Sequence, residues 1–492
     1  MDINVTHTSE WQVQTPARYR LPTFIGFVVY LSGNLGALWL LNDSSTSVMI
    51  IYTIVHLILL GIYWRRAILP NTTAAEPGLL FIAVAAIYTL FPLISFVAFD
   101  YNLGADSDNR LSAIALDDRF IGQIAASANA IIAGFAVAYA ILRKPRRPAN
   151  FSVQYADTLA LWIGLGTALL VIAIPSLLGT EKGSGYASEY LFYQSLPIVV
   201  QQILNIVSNL ALICAFGLMA SYASAGKFHI TLSIALVCCV YFGLATSART
   251  PLVLIAGGLL LVRDLFVKPF SLAQLGVIVV AVLIIFLGLG FARDGLSDIN
   301  YVAGRSEFMA VFVTALDIQQ LYVTGSTLDM NLNLLLSDLF RLIPQQFLPF
   351  EKIDPATWYV TTFYPSFAEQ GGGLAFGILA ESQLGGSFVA ASIRGLALGS
   401  VTAVAFNYLT ARSSIWRTII YVWLFTGLYQ AFRDTTFTLV GRFVFQVAPG
   451  VFLIFVLGRL VTPLSRRLGV QLKERPLRQV EAKARPNSPT TP

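Results

Sequence analysis

The chain has 492 residues, of which 56% are hydrophobic and only 12% charged, with a mean hydropathy of +0.71 and a formal net charge of +6. That balance excludes a soluble domain with a polar shell, because the apolar surface exceeds what a water-facing fold of this size can bury. The basic stretch Arg466–Arg485 reads as a membrane-surface segment, with nucleic-acid binding a poor second reading of it.

Crossing a hydrocarbon layer of about 30 Å at about 1.5 Å per residue takes roughly 20 apolar residues. In chain order, such runs are read at Leu21–Leu41, Val48–Trp64, Gly78–Phe99, Ile121–Leu142, Thr158–Leu178, Leu196–Ala220, Ile230–Leu244, Pro251–Leu261, Leu272–Phe291, Gly386–Tyr408, Thr418–Ala431 and Phe443–Leu460. The runs at Pro251 and Thr418 are short. Strands of a membrane barrel alternate polar and apolar residues, so continuous runs of this kind point to helices. The expected fold is an all-α polytopic integral membrane protein of about twelve transmembrane helices. The first run is expected to stay as an anchor, because it begins too far from Met1 and runs on too long for a cleavable signal.

Lys and Arg are retained on the cytoplasmic side, and the alternation of basic segments closes with both termini inside. Arg65, Arg66, Arg143, Lys144, Lys227, Arg263 and Arg412 then lie inside, while Asp100, Asp106, Asp108, Asp117 and Asp118 share one outer loop. The expected divisions are residues 1–20 as a cytoplasmic segment, 21–291 as helices one to nine, 292–385 as a large outer loop, 386–460 as helices ten to twelve, and 461–492 as a basic cytoplasmic tail of disordered composition. Cys214, Cys238 and Cys239 all fall in apolar runs and suggest neither disulfide nor zinc site. Of the three histidines, His7 is in the N-terminal segment, His56 within a run and His229 at a cytoplasmic end, so none serves an outer site.

The outer loop of over ninety residues is the natural place for chemistry. Within it, Phe308, Phe312 and Leu316, with Met309 and Val313, recur at helical spacing, which marks an amphipathic helix lying along the membrane or against the bundle. Arginines on the outer side are few. Arg249 is pinned in a tight turn between two apolar runs, Arg433 precedes Asp434 in another, and Arg305 and Arg341 lie in the loop. A guanidinium held at a membrane boundary is costly without an anion, and its planar donors suit phosphate. Interface snorkelling or an internal ion pair explains any one of them equally well. Gly371, Gly372 and Gly373 allow a close backbone approach or sharp turn between Glu369 and Glu381, two candidates for a base or for orienting a sugar hydroxyl, although a solvated carboxylate is the plainer reading of each. Trp358, Tyr359, Phe363 and Tyr364 suit a sugar groove or a bilayer anchor.

The run from Phe340 through Ile343–Pro344 to Lys352, then Gly371–Gly372–Gly373 leading to Ala380–Glu381 and Gly385–Gly386, resembles the oligosaccharide repeat-unit polymerases of the Wzy type. The Ser247–Ala248–Arg249 turn and Gly304–Arg305 with Glu307–Phe308 fit the same pattern, and the likeness covers residues 247–399. Gln345 departs from it, standing where a basic residue often follows the Ile-Pro pair. The resemblance implies a multi-pass protein of a bacterial inner membrane with its site on the periplasmic face. Donor and acceptor would both be undecaprenyl-pyrophosphate-linked oligosaccharides. Partners would be membrane lipids, a chain-length regulator and a flippase, without metal or other cofactor. It implies pyrophosphate binding by Arg249, Arg305, Arg341 and Arg433, proton transfer by Glu369 or Glu381, and saccharide approach at Gly371–Gly373 and Tyr364. Two rivals stand beside it. An O-antigen ligase would be expected to carry an outer-loop histidine, and a lipid-linked saccharide flippase or secondary transporter would be expected to show related halves.

Overall fold

A computed structural model of the chain describes residues 20–41, 43–67, 76–98, 117–144, 155–177, 195–245, 250–271, 273–278, 306–323, 336–340, 345–369, 374–384, 388–412, 414–436 and 438–467, with a few single positions between them. Among these residues the regular structure is entirely helical. Helices α1 (Arg20–Leu41), α2 (Thr46–Ala67), α3 (Pro77–Ala98), α4 (Asp118–Leu142), α5 (Tyr155–Leu177), α6 (Ile198–Ser224), α7 (Phe228–Ala245) and α8 (Thr250–Phe266) stand where the first eight apolar runs are. Seven segments of the described residues are long and apolar enough to cross a membrane, and Ile25–Leu41 and Phe228–Gly243 are shorter apolar helices beside them. The chain is therefore an all-α, multi-pass membrane protein. Most of the run read at Leu272–Phe291 lies outside the described residues, as do residues 1–19 and 468–492.

The expected outer loop contributes α9 (Glu307–Val323), α10 (Pro355–Phe363) and α11 (Gly377–Leu384), followed by α12 (Phe388–Thr410), α13 (Ile415–Thr426) and α14 (Ala448–Arg467). Of the two sites expected for the amphipathic helix, α9 takes the bundle. Met309, Val311, Phe312, Ala315 and Leu316 are buried, and Phe308 sets its ring edge-on to Tyr88 of α3 at 4.9 Å. At 12 residues α13 rises only about 18 Å, short of the hydrocarbon thickness. A 3-10 turn at Gly427–Tyr429 and a helical turn at Gln430–Arg433 carry the chain onward. Thr438–Arg442 and a π-helical turn at Phe443–Val447 then lead into α14.

Lipid tails are as apolar as leucine, so helices in a membrane associate through close packing rather than hydrophobic burial. The closest packing here is that of α4 on α12. Along α4, 89% of the apolar window is buried, which makes it the central helix, and it is rich in alanine. Gly395 and Gly399 of α12 sit against its backbone: a Cβ added at Gly395 would lie 2.3 Å from the Ile131 carbonyl oxygen, and one at Gly399 2.5 Å from that of Phe135. Neither obstacle is a flexible side chain that could move aside. Gly395→Leu is expected to cost at least the roughly 1–3 kcal/mol of core overpacking, read as a lower melting temperature in detergent; an unchanged melting temperature would refute the contact.

Polar side chains add directional bonds between α1, α2 and α4. His56 Nδ1 pairs with Asn129 Oδ1 at 2.8 Å, Asn129 Nδ2 donates to Thr53 Oγ1 at 2.8 Å, and the Tyr30 hydroxyl closes on His56 Nε2. Asn34 Nδ2 donates to the Tyr52 hydroxyl at 2.7 Å. At the far end of α4, Glu76 accepts from Tyr139 at 3.1 Å and pairs with Arg143, all three being buried or nearly so.

Candidate functional site

Arg433 ends the helical turn Gln430–Arg433, and its guanidinium meets groups from three parts of the chain. Its Nη1 donates to Thr250 Oγ1 at 2.9 Å, and its Nε lies 3.6 Å from Glu307 Oε1 and 3.9 Å from Asp434 Oδ1. Glu307 Oε1 also accepts from the Tyr88 hydroxyl at 2.7 Å. On the other side of Asp434, Arg442 Nη2 donates to Oδ2 at 2.7 Å while its Nη1 donates to Gln430 Oε1 at 2.7 Å. Asp434 thus lies between two guanidiniums. Burial works against the Arg433 charge, but Glu307 and Asp434 outweigh it and raise the pKa above the ordinary arginine value, so the group is a fixed cation.

Arg433, Asp434 and Arg442 border a cavity of about 800 Å³, toward the upper end of the roughly 300–1,000 Å³ of ligand clefts. One wall is Arg433, Asp434, Thr435, Thr438, Gly441 and Arg442; Gln202 and Ile206 of α6, with Phe445 and Gln446 of the π-helical turn, form another; Asp354, Ala356, Leu374 and Phe376 complete it. Thr250 and Glu307, the partners of Arg433, are the first residues of α8 and α9, and Asp354 is the N-cap of α10, its Oδ2 accepting from Thr357 N at 3.0 Å. Several helix N-termini therefore converge on this end of the bundle, and their partial positive charge favours an anion there.

The turn bearing Arg433 is held from behind by α11. Gly377 has φ +56°, a conformation side chains rarely adopt, and a Cβ there would lie 1.9 Å from the Phe432 carbonyl oxygen. That close approach lets Gly377 N donate to the Asp434 carbonyl at 2.5 Å. About one turn on, Glu381 is buried, at 2% exposed, and its Oε2 accepts from Thr436 N at 2.9 Å, from Arg394 Nη1 at 3.1 Å and from the Thr436 hydroxyl. A carboxylate so occupied, and absent from the cavity wall, clamps the 433–436 turn.

Of the residues singled out from sequence, Arg433 lines the cavity. Arg249, Arg305, Arg341, Gly371, Gly372 and Gly373 lie outside the described residues. In sequence, however, Arg249 immediately precedes Thr250 and Arg305 stands two before Glu307, the two residues that meet Arg433 from other helices. Glu369 is exposed at the end of the turn Pro365–Glu369 and is not part of the wall. Tyr364 follows α10 and gives its hydroxyl to Asp317, which also accepts from Tyr359. Tyr359 is fully buried, with its ring 5.5 Å from Tyr364 and 5.8 Å from Phe376, and Trp358 packs edge-on to Phe363 at 5.6 Å. These aromatics pack mainly on one another.

Arg442, Asp354, Gln202 and Gln446 were not singled out from sequence. Gln202 and Gln446 carry a signal that could have found them, an amide inside an otherwise apolar membrane segment. Among the described residues, no three His, Cys, Asp or Glu side chains gather as metal ligands would. Comparison of the chain with protein-family models, with curated proteins and with solved structures returns no match.

Proposed function

We propose that the protein is a membrane glycosyltransferase that polymerises lipid-linked oligosaccharide repeat units on the periplasmic face of a bacterial inner membrane. One observation supports this reading above the others. Arg433, one of the four arginines expected to hold pyrophosphate, lines the cavity together with Arg442, and its guanidinium is met by Thr250 and Glu307, the first residues of α8 and α9.

In the proposed reaction, the non-reducing-end hydroxyl of one lipid-linked unit attacks the anomeric carbon of the growing chain. The new C–O bond forms as the bond from that carbon to the pyrophosphate oxygen breaks, and undecaprenyl pyrophosphate leaves with the electron pair. Arg433 and Arg442, aided by Arg249, Arg305 and Arg341, stabilise the charge developing on the leaving group, while the cavity holds the two reactants together. The hydroxyl proton passes to a carboxylate. Asp354 is on the cavity wall and takes this role, Glu369 being the second choice from the sequence pattern; Glu381 acts by holding the turn.

The test is to incubate the purified full-length chain with the lipid-pyrophosphate-linked repeat unit of its own organism. A ladder of longer saccharides with release of undecaprenyl pyrophosphate is expected. Absence of a ladder, with labelled lipid-linked units crossing a liposome membrane instead, would replace the reading with transport.

A further inference from the structure

The walls of the cavity differ in kind. Gln202 and Ile206, and Phe445 and Gln446 in the same wall, belong to the segments Val199–Ser224 and Thr438–Pro463, both apolar enough to lie in the membrane. Residues beside them face outward: Val199 is 65% exposed, Ile203 51%, Val444 43% and Phe445 46%. Deeper along the same seam the two elements are joined, because Asn209 Nδ2 donates to Gln446 Oε1 at 2.9 Å and Trp423 Nε1 donates to Asn209 Oδ1 at 3.2 Å. From Gln202 to Asn209, α6 rises about 10 Å, which sets the height of the seam above that floor. The turn Phe443–Val447 is π-helical, a local winding that recurs at functional sites.

The same cavity is lined by Arg442, its side chain 36% exposed, with Arg433 beyond Asp434. The contacts of Arg433 Nε to carboxylates, at 3.6 and 3.9 Å, are longer than hydrogen bonds, so a phosphate oxygen can offer that nitrogen a closer partner. Two guanidiniums on either side of one carboxylate suit a ligand with charge on two linked phosphates better than the single charge of a phospholipid diester.

We propose that the cavity opens sideways into the membrane between the first turns of α6 and the turn Phe443–Val447, and that it admits one kind of amphiphile, a polyisoprenoid pyrophosphate. Its headgroup sits against Arg442 and Arg433, and its single chain leaves past Ile206 and Phe445. This deepens the polymerase reading and rests on it for the identity of the headgroup.

Binding to the full-length chain in detergent tests it, with farnesyl pyrophosphate as the amphiphile, inorganic pyrophosphate as its head alone, and phosphatidylglycerol as competitor. Ile206→Trp, which fills the seam, is expected to weaken farnesyl pyrophosphate about tenfold, the equivalent of roughly two buried methylenes, and to leave inorganic pyrophosphate unchanged. Arg442→Gln is expected to weaken both about tenfold or more. Phe445→Ala removes only the outward lip and serves if Ile206→Trp lowers the melting temperature; it too is expected to weaken the amphiphile alone. Unchanged farnesyl pyrophosphate affinity in both seam variants, or equal displacement by phosphatidylglycerol, overturns the proposal. Binding with the expected pattern but no saccharide ladder removes the polymerase reading and leaves the opening, whereas a wild-type ladder from Ile206→Trp does the reverse.

Discussion

Arg433→Gln is expected to lower the rate of saccharide extension by about 10²–10³-fold, the usual cost of removing one donor from a site that stabilises developing negative charge. The side chain is the common partner of Thr250, Glu307 and Asp434, so it supplies charge and also ties α8 and α9 to the turn. Glu307 keeps its bond from Tyr88 in the variant, and the fold should survive. Arg433→Lys should recover little, because an ammonium cannot span Thr250 and a phosphate with a planar fork. Initial rates of ladder formation, alongside the melting temperature, decide the matter. A rate within about threefold of wild type would remove Arg433 from the chemistry, since loss of even one net hydrogen bond to a charged group costs more than that.

Glu381 separates two roles that substitution can distinguish. As a clamp, Glu381→Ala takes the carboxylate from Arg394, whose side chain is 15% exposed, and the loss should be part of the about 3–5 kcal/mol that breaking a fully buried pair costs, so both melting temperature and activity should fall. Glu381→Gln retains an oxygen that can accept from Thr436 N–H and should keep substantial activity, with a pH–rate profile unchanged in shape. A general base would behave otherwise. Alanine and glutamine would then be equally inactive, the melting temperature of the glutamine variant would hold, and the acidic limb of the profile, where rate rises as the base loses its proton, would disappear.

The helices were legible because apolar runs long enough to cross a membrane have few other fates, and α1 to α8 sit on the runs that predict them. Arg433 was legible for a related reason: a charge confined to a tight turn between apolar segments needs a purpose. The rest of the cavity was not. Gln202 and Gln446 are separated by about half of the chain and line one cavity because α6 packs on the turn that leads into α14. Glu381 stands in sequence at the entrance to the next apolar run, where a carboxylate reads as solvated. Its partner Arg394 is 13 residues away on the next helix, across Gly385–Gly386, and no periodicity signals that the two meet. Likewise, Tyr359 and Tyr364 suggested a sugar surface, but both close on Asp317 of α9, a contact between segments 42 and 47 residues apart.

The backbone contact of Gly395 with Ile131 has a mechanical consequence for the site. Gly395 adjoins Arg394, which grips Glu381, which in turn grips Thr436, two residues beyond Asp434. The anion seat is thereby anchored, through a few short bonds, to the least compressible seam of the molecule. The other wall, made by the start of α6 and the turn at Phe443–Val447, exposes apolar side chains and is tied to its neighbour at the deeper Asn209–Gln446 bond. A long-chain ligand pressing into the cavity would therefore strain the lipid-side wall before the guanidiniums moved, so loading and unloading need not disturb the register of the charges.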